Sequence, residues 1–299
     1  MNSVKALLYF SLFKYPLSAE EVYLFSAAHS QDEVNNELKY LEQKGVIFSD
    51  KNFYCIDNHT KTISRRIAGN NMAKAVMDKA IKKGVFISKF PFIKAVGISG
   101  SLSKNYHDKN SDVDFFVITT SKKLWIARTL LMLYKKIFLL NSRKFFCVNY
   151  FIAEDSLEIT EKNIFTATEL LTLIPVSGDF ELFYSKNQWV STFLPNMEIG
   201  KSPFYENSKK NWLAKMIESI LNTRIGDLLD NIFLKLTVKK WNLKFNTLNK
   251  EDFEIAMKST SGVSKHHPQN FQKRVIARLN QKYKEFYTRY NIELEEEHA

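Results

Sequence analysis

The chain has 299 residues, with 43 Lys+Arg against 32 Asp+Glu for a formal charge of +11, and it carries 24 Phe and 13 Tyr. That much aromatic surface excludes a chain that stays unfolded, and two cysteines, Cys55 and Cys147, exclude a disulfide scaffold. No stretch reads as a leader or a span: Ala6 to Phe13 is a short apolar run, and Leu124 to Leu140 contains Arg128, Lys135 and Lys136. A cytoplasmic location without a membrane partner is the expectation.

In chain order, residues 3–13 read as a helix with Val4, Leu7, Leu8 and Leu12 inward. Tyr15-Pro16 breaks it. A second helix starts after Leu17, with Ser18 as N-cap and Glu21 at the reciprocal capping-box position. A third runs from Gln31 to Gly45 with Val34, Leu38 and Leu41 at helical spacing. Val46–Phe48 and Phe53–Ile56 read as a hairpin with a polar tip at Ser49–Asn52. Three helices and a hairpin resemble a winged helix-turn-helix over residues 1–60. Its presumed recognition helix carries Asp32, Glu33, Glu37 and Glu42 against Lys39 and Lys44. That charge argues against DNA binding, since phosphate neutralisation supplies most non-specific affinity.

Residues 61–84 form a polar, basic helix, read as a connector with a solvated face. Phe92–Ile98 and Asp112–Ile118 are apolar strands, Leu124–Leu140 is a helix, and Phe145–Ile152 is a third strand. From Ile159 the pattern is largely helical, with breaks around Pro175–Gly178, Pro195–Pro203 and Ser259–Pro268, and Glu293–Glu297 reads as a frayed acidic tail. The charge is uneven. Residues 1–60 carry a net −3, 61–150 a net +14, 151–200 a net −6 and 201–299 a net +6.

The basic segment holds the chemistry, in the stretch from Gly100-Ser101 to Ser111-Asp112-Val113-Asp114. Two residues apart on a strand, Asp112 and Asp114 point to one face. Paired carboxylates repel unless a cation lies between them, and oxygen ligands of this kind select Mg²⁺. Gly100-Ser101 allows a tight turn that brings amides and a hydroxyl to a phosphate. A phosphate cradle beside a metal-binding pair is the equipment of phosphoryl or nucleotidyl transfer.

Gly-Ser, then Ser-Asp-x-Asp at this distance and an apolar strand, resembles the nucleotidyltransferases of the polymerase-β superfamily over about residues 91–155. The resemblance implies two Mg²⁺ ions held by Asp112 and Asp114. It also implies an NTP, ATP first among them, contacted by Gly100, Ser101, Lys104 and Ser111. Its usual third acid falls at Asn149, which can ligate a metal through its carbonyl oxygen but cannot accept a proton near neutral pH. Glu154 and Asp155, just past the strand, are the candidate substitutes.

Other residues read as structural. Arg128, Lys135 and Lys136 make a solvated face, His107 sits in the loop, and His266-His267 is a poor metal site. Trp189, Trp212 and Trp241 read as core, and Cys147 as buried and inert mid-strand.

The expected fold is α+β: winged helix (1–60), connector helix (61–90), small mixed nucleotidyltransferase sheet with flanking helices (91–155) and a mainly helical C-terminal region (156–299). The expected function is Mg-dependent transfer of a nucleoside monophosphate to a hydroxyl of an acceptor: a small molecule, a protein or a nucleic acid. A nucleotide-binding or regulatory protein impaired at Asn149, and a winged-helix DNA-binding regulator, remain as alternatives.

Overall fold

Apolar residues at helical spacing open the chain: α1 (Asn2–Ser11) buries Val4, Leu7 and Leu8. After β1 (Leu17–Ser18) comes α2 (Ala19–Leu24), where the capping box forms. The Ser18 hydroxyl accepts from the Glu21 N–H at 3.2 Å, and the Glu21 carboxylate accepts from the Ser18 N–H at 2.9 Å. Next, α3 (Gln31–Gln43) turns Val34, Leu38 and Leu41 inward. β2 (Phe48–Asp50) and β3 (Phe53–Cys55) pair around a tip at Lys51 and Asn52, both left-handed. This corrects the hairpin: Val46 and Ile47 are buried in the approach, not in the strand. The small sheet is antiparallel, in the order β1-β3-β2. The computed structural model describes residues 2–56, 60–142, 144–200, 209–267 and 269–298.

α4 (Thr60–Ser88) is a single helix, and its basic face is not wholly solvated. Arg66 is buried, pairs with Glu21 at 2.6 Å, donates to the Pro16 carbonyl at 2.8 Å and lies 3.7 Å over the Tyr15 ring. The capping-box glutamate therefore also holds α4 against the N-terminal module.

A second sheet follows. β4 (Ile93–Ser99) leads through the short α5 (Gly100–Ser103) to β5 (Asp114–Thr119), then α6 (Leu124–Phe138) and β6 (Cys147–Ala153). The three strands begin one or two residues later than their apolar runs, so Cys147 opens β6 rather than sitting mid-strand. α7 (Ile164–Leu171), β7 (Ile174–Ser177), α8 (Glu181–Lys186), α9 (Trp212–Leu221), α10 (Arg224–Lys244), α11 (Lys250–Ala256), β8 (Val263–Lys265) and α12 (Phe271–Tyr290) complete the chain. The sheet order is β7-β4-β5-β6-β8, with β5 and β6 parallel and the other pairs antiparallel. The two edge strands correct the helical reading beyond Ile159, because they fall where breaks were expected. Pro175 is tolerated because β7 lies at the edge. Of the expected breaks, Pro203 and Pro268 lie outside the described residues.

One face of this sheet, with Val96, Phe115 and Val117, packs on α4, α6 and α10. The other, with Phe116, Ile118 and Ile152, packs on α7 and α8. α12 returns to the N-terminal module through Val275, Leu279, Tyr283 and Phe286. The acidic end is not frayed: Glu297 pairs with Lys5 at 3.4 Å and exchanges two hydrogen bonds with Asn280, and Glu296 pairs with Lys284.

Asp230 on α10 supplies the cap that α6 lacks, accepting from the Ile126 N–H at 2.8 Å. Burial pushes its carboxyl up to about 6, above the backbone N–H bonds that favour the charge. The protonated form is therefore the one the fold prefers, and this contribution is lost as pH rises through about 6. Between pH 4 and 7 the wild type should lose about 1–2 kcal/mol relative to Asp230→Asn, after discounting for solvent. Paired urea titrations across that range check it, and parallel curves would refute it.

Candidate active site

The Gly100-Ser101 turn is built by one carboxylate. Gly100 has φ +71, and a Cβ there would meet Asp114 Oδ2 at 2.5 Å. Only glycine lets the chain turn this way with the acid against it. The turn is closed by Lys104 N–H to Ser101 O at 3.1 Å and Tyr106 N–H to Ser101 O at 3.0 Å. The Ser101 hydroxyl has no hydrogen-bond partner among the described residues. Behind the loop, Tyr106 lies over Gly69 of α4, whose carbonyl accepts from the His107 N–H at 3.2 Å. His107 is buried rather than a free loop residue, and burial holds its pKa below the usual imidazole range.

Asp114 opens β5 and shares its face with Phe116 and Ile118. Asp112, expected on the strand, lies two residues before its start. Buried Val113 separates the two acids and accepts from the Cys147 N–H at 3.1 Å. Burial pushes the Asp114 carboxyl up to about 6, with the charges of Glu169 and Asp112 acting the same way. Cys147 lies beside this acid, and burial followed by the Asp114 charge pushes its thiol up to about 12.

Asn149 sits at an irregularity in the ladder: Phe115 pairs with Val148 and Phe116 with Tyr150, so Asn149 is the extra residue. Its side-chain amide is placed to donate to Asp114 Oδ1 at 3.1 Å and to Cys147 Sγ at 3.1 Å. Glu154 and Asp155 do not substitute for it. Glu154 follows the far end of β6, bonded to the Ser121 N–H and paired with Lys94. Asp155 lies against Ser156. Asp114 pairs with Cys147 at the start of β6, seven positions before Glu154, so roughly 20 Å of strand separates these acids from it.

The nearer acid is Glu169, on α7, which the sequence reading missed. It lines the same cavity and pairs at 2.8 Å with Lys104, whose ammonium also reaches the Gly100 carbonyl at 3.0 Å. Lys104 thus braces the turn. Ser111 likewise braces its loop, donating to Asp108 Oδ1 at 2.9 Å.

Gly100, Ser101, Lys104, Ser111, Asp114, Asn149 and Glu169 line one end of a cavity of about 530 Å³, whereas Asp112 is not in its wall. Its walls come from distant parts of the chain: Tyr9, Phe13 and Tyr15 from the N-terminal module, Phe116 and Tyr150 stacked at 5.2 Å on the sheet, and Lys265 and Phe271 from β8 and α12. Lys265 donates to Gln272 Oε1 at 3.0 Å. Nearby His267 is pushed down to about 4 by burial. The basic excess is not here: Arg65, Lys104 and Lys265 face Asp108, Asp114, Glu161 and Glu169.

The remaining candidates lie elsewhere. Arg128 is half-buried rather than part of a solvated face; it packs 4.7 Å from Trp241, and burial pushes it down to about 10. Lys135 is buried and Lys136 exposed, while His266 packs on Trp241 at 5.0 Å. Trp241 is core and Trp189 half-buried, but Trp212 is exposed. Among the described residues no three His, Cys, Asp or Glu side chains are grouped to hold a metal by themselves.

No curated protein and no solved structure matches the chain. Residues 80–171, from the end of α4 through α7, match the family model of the nucleotidyltransferase domain. That span holds Gly100, Ser101, Asp112, Asp114, Asn149 and Glu169, and it supports a member of the nucleotidyltransferase superfamily.

Proposed function

We propose that the protein is a Mg²⁺-dependent nucleotidyltransferase that moves a nucleoside monophosphate, from ATP in the first instance, to a hydroxyl of a small acceptor held in the same cavity. The observation that carries this reading is the packing of Asp114 against the Gly100-Ser101 turn at the cavity's end.

The donor set fits Mg²⁺. Two carboxylates and an amide oxygen are the oxygen ligands it accepts, and substrate phosphates ordinarily complete its shell. With three cations against four acids, the lining suits a triphosphate that arrives with its divalent cations, not a free one. Asp112 and Asp114 would hold the metal, which when bound supplies Lewis-acid polarisation and neutralises phosphate charge. Ser101 and the amides of the turn orient the phosphates, and Asn149 fixes the Asp114 carboxylate. The acceptor oxygen forms a bond to the α-phosphorus, the bond to the bridging oxygen breaks and pyrophosphate leaves. Glu169 takes the hydroxyl proton. The cavity has the size of a small-molecule site rather than a channel for a strand. The winged-helix-like module, acidic along α3, contributes wall through α1 and is a docking element, not a DNA reader.

Incubation with α-labelled NTPs and Mg²⁺ over a panel of hydroxyl compounds tests the reading. Label transfer with stoichiometric pyrophosphate release is expected. Tight NTP binding without pyrophosphate release on any acceptor would favour the impaired, regulatory alternative, for which the amide at position 149 is the motive. Glu169→Gln should lower kcat by about 10²-fold with NTP KM within a few-fold of wild type. An equal loss in Lys104→Met would instead assign Glu169 to bracing the turn.

A further inference from the structure

The hairpin of α9 and α10 leaves its outer face uncovered among the described residues. Trp212, Met216 and Ile220 recur every four residues on α9, and Ile225, Leu228, Ile232, Leu236 and Leu243 hold one face of α10. All are exposed, Trp212 and Ile225 at 74% and Leu243 at 72%. Apolar residues scattered singly on a surface need no explanation, but a stripe two helices long does.

The charges around the stripe have one sign. The exposed basic side chains of both helices are Lys215, Arg224, Lys235, Lys239, Lys240 and Lys244. The three acids are each engaged: Glu218 with Lys210 and the Phe92 N–H, Asp227, whose side chain stays 41% exposed, with Lys123, and buried Asp230 with the Ile126 N–H.

We propose that this face rests on an anionic phospholipid surface. The apolar stripe would lie at the acyl boundary and the lysines, stems along it, at the headgroups. A second copy is disfavoured by charge, since it would oppose basic side chains with basic side chains. A stripe of aliphatic side chains with an exposed tryptophan suits a fluid interface better than a protein partner, which uses a pocketed anchor cluster. No helix among the described residues is long and apolar enough to cross a membrane, so the attachment is interfacial. α10 covers the sheet face opposite Asp114, so the cavity stays clear of the surface.

Flotation of the full chain with phosphatidylcholine vesicles, with and without phosphatidylglycerol, tests this. Retention about tenfold or more stronger on the anionic vesicles is expected, weakening with salt, with a blue shift of Trp212 emission. Ile225→Glu/Ile232→Glu/Leu236→Glu should abolish retention. Lys235→Glu/Lys239→Glu should remove the preference for anionic lipid, and it decides the matter if the apolar variant fails to fold by circular dichroism. No retention, or equal retention on both vesicle types, overturns the proposal. A dimer in sedimentation that either variant dissociates overturns it in favour of a second copy, and saturable binding of an acidic peptide without vesicle binding does so in favour of a protein.

Discussion

Replacing Asp114 with asparagine should lower nucleotidyl transfer by at least about 10²–10³-fold while raising the stability of the nucleotide-free protein. The two signs have one cause. The carboxylate is packed against the Gly100 turn and beside Cys147, with its pKa pushed up to about 6 chiefly by burial. At pH 7 it is mostly charged, in surroundings that favour the neutral form. A neutral isostere removes that cost, by about 1–3 kcal/mol, and keeps an oxygen for the Asn149 amide. It also removes a negative ligand from the point where phosphate charge must be met. The gain should be largest above pH 6 and vanish below about pH 4, because a carboxyl whose folded pKa is raised supports the fold only while protonated. Thermal melts of both proteins from pH 4 to 8 without metal, beside turnover at pH 7, measure the two effects. A variant that is both less stable and equally active would remove Asp114 from the site.

The second large effect is expected at Asn149→Asp. The side-chain amide stands 3.1 Å from Asp114 Oδ1. An aspartate there trades that hydrogen bond for a contact between carboxylates. In EDTA the variant should lose about 1–3 kcal/mol, the cost of a broken part-buried hydrogen bond next to a like charge. With saturating Mg²⁺ the loss should be recovered, since an ion held by the folded state alone adds stability as its concentration exceeds its dissociation constant. Melts with EDTA and with Mg²⁺ settle it without any knowledge of the acceptor. If variant and wild type respond identically to Mg²⁺, position 149 does not face an ion.

Local signals were legible in the residue order and non-local ones were not. The Ser18–Glu21 box, the apolar faces of α3 and of α1 from Val4 to Leu8, and the Gly100-Ser101 turn all depend on neighbours within a few positions and lie where the residue order puts them, whereas Asp112 falls just short of the strand that Asp114 opens. β7 and β8 are four and three residues long, too short for any periodicity. They exist because β4 and β6 offer open edges. Glu169 joins the site only because α7 packs over the sheet, and nothing in its own neighbourhood announces that. Arg66 and Arg128 read as solvated because charge is solvated by default, yet each is covered by aromatic rings from remote segments. Trp212 erred the other way: size alone suggested core. Charge counted along the chain was misleading too. Residues 61–150 hold a net +14, but among the described residues only Arg65 and Lys104 of that segment's cations line the cavity.

The ladder between β6 and β8 carries a consequence for the order of assembly. Tyr150 pairs with Lys265 and Ile152 with Val263, and the Asn149 carbonyl accepts from the His266 N–H at 3.0 Å. The residue that steadies Asp114 is therefore itself held by a strand about 110 residues further along. Loop closure over that distance makes this pairing one of the slower events of folding. Until it forms, β6 is a bare edge with its irregularity unsupported, a state in which most of the core can be complete and the chemistry absent. Catalytic competence should thus arrive last, on a slower clock than helix content or collapse. A substitution in β8 would be felt first as a delay in gaining activity, before any loss of final stability.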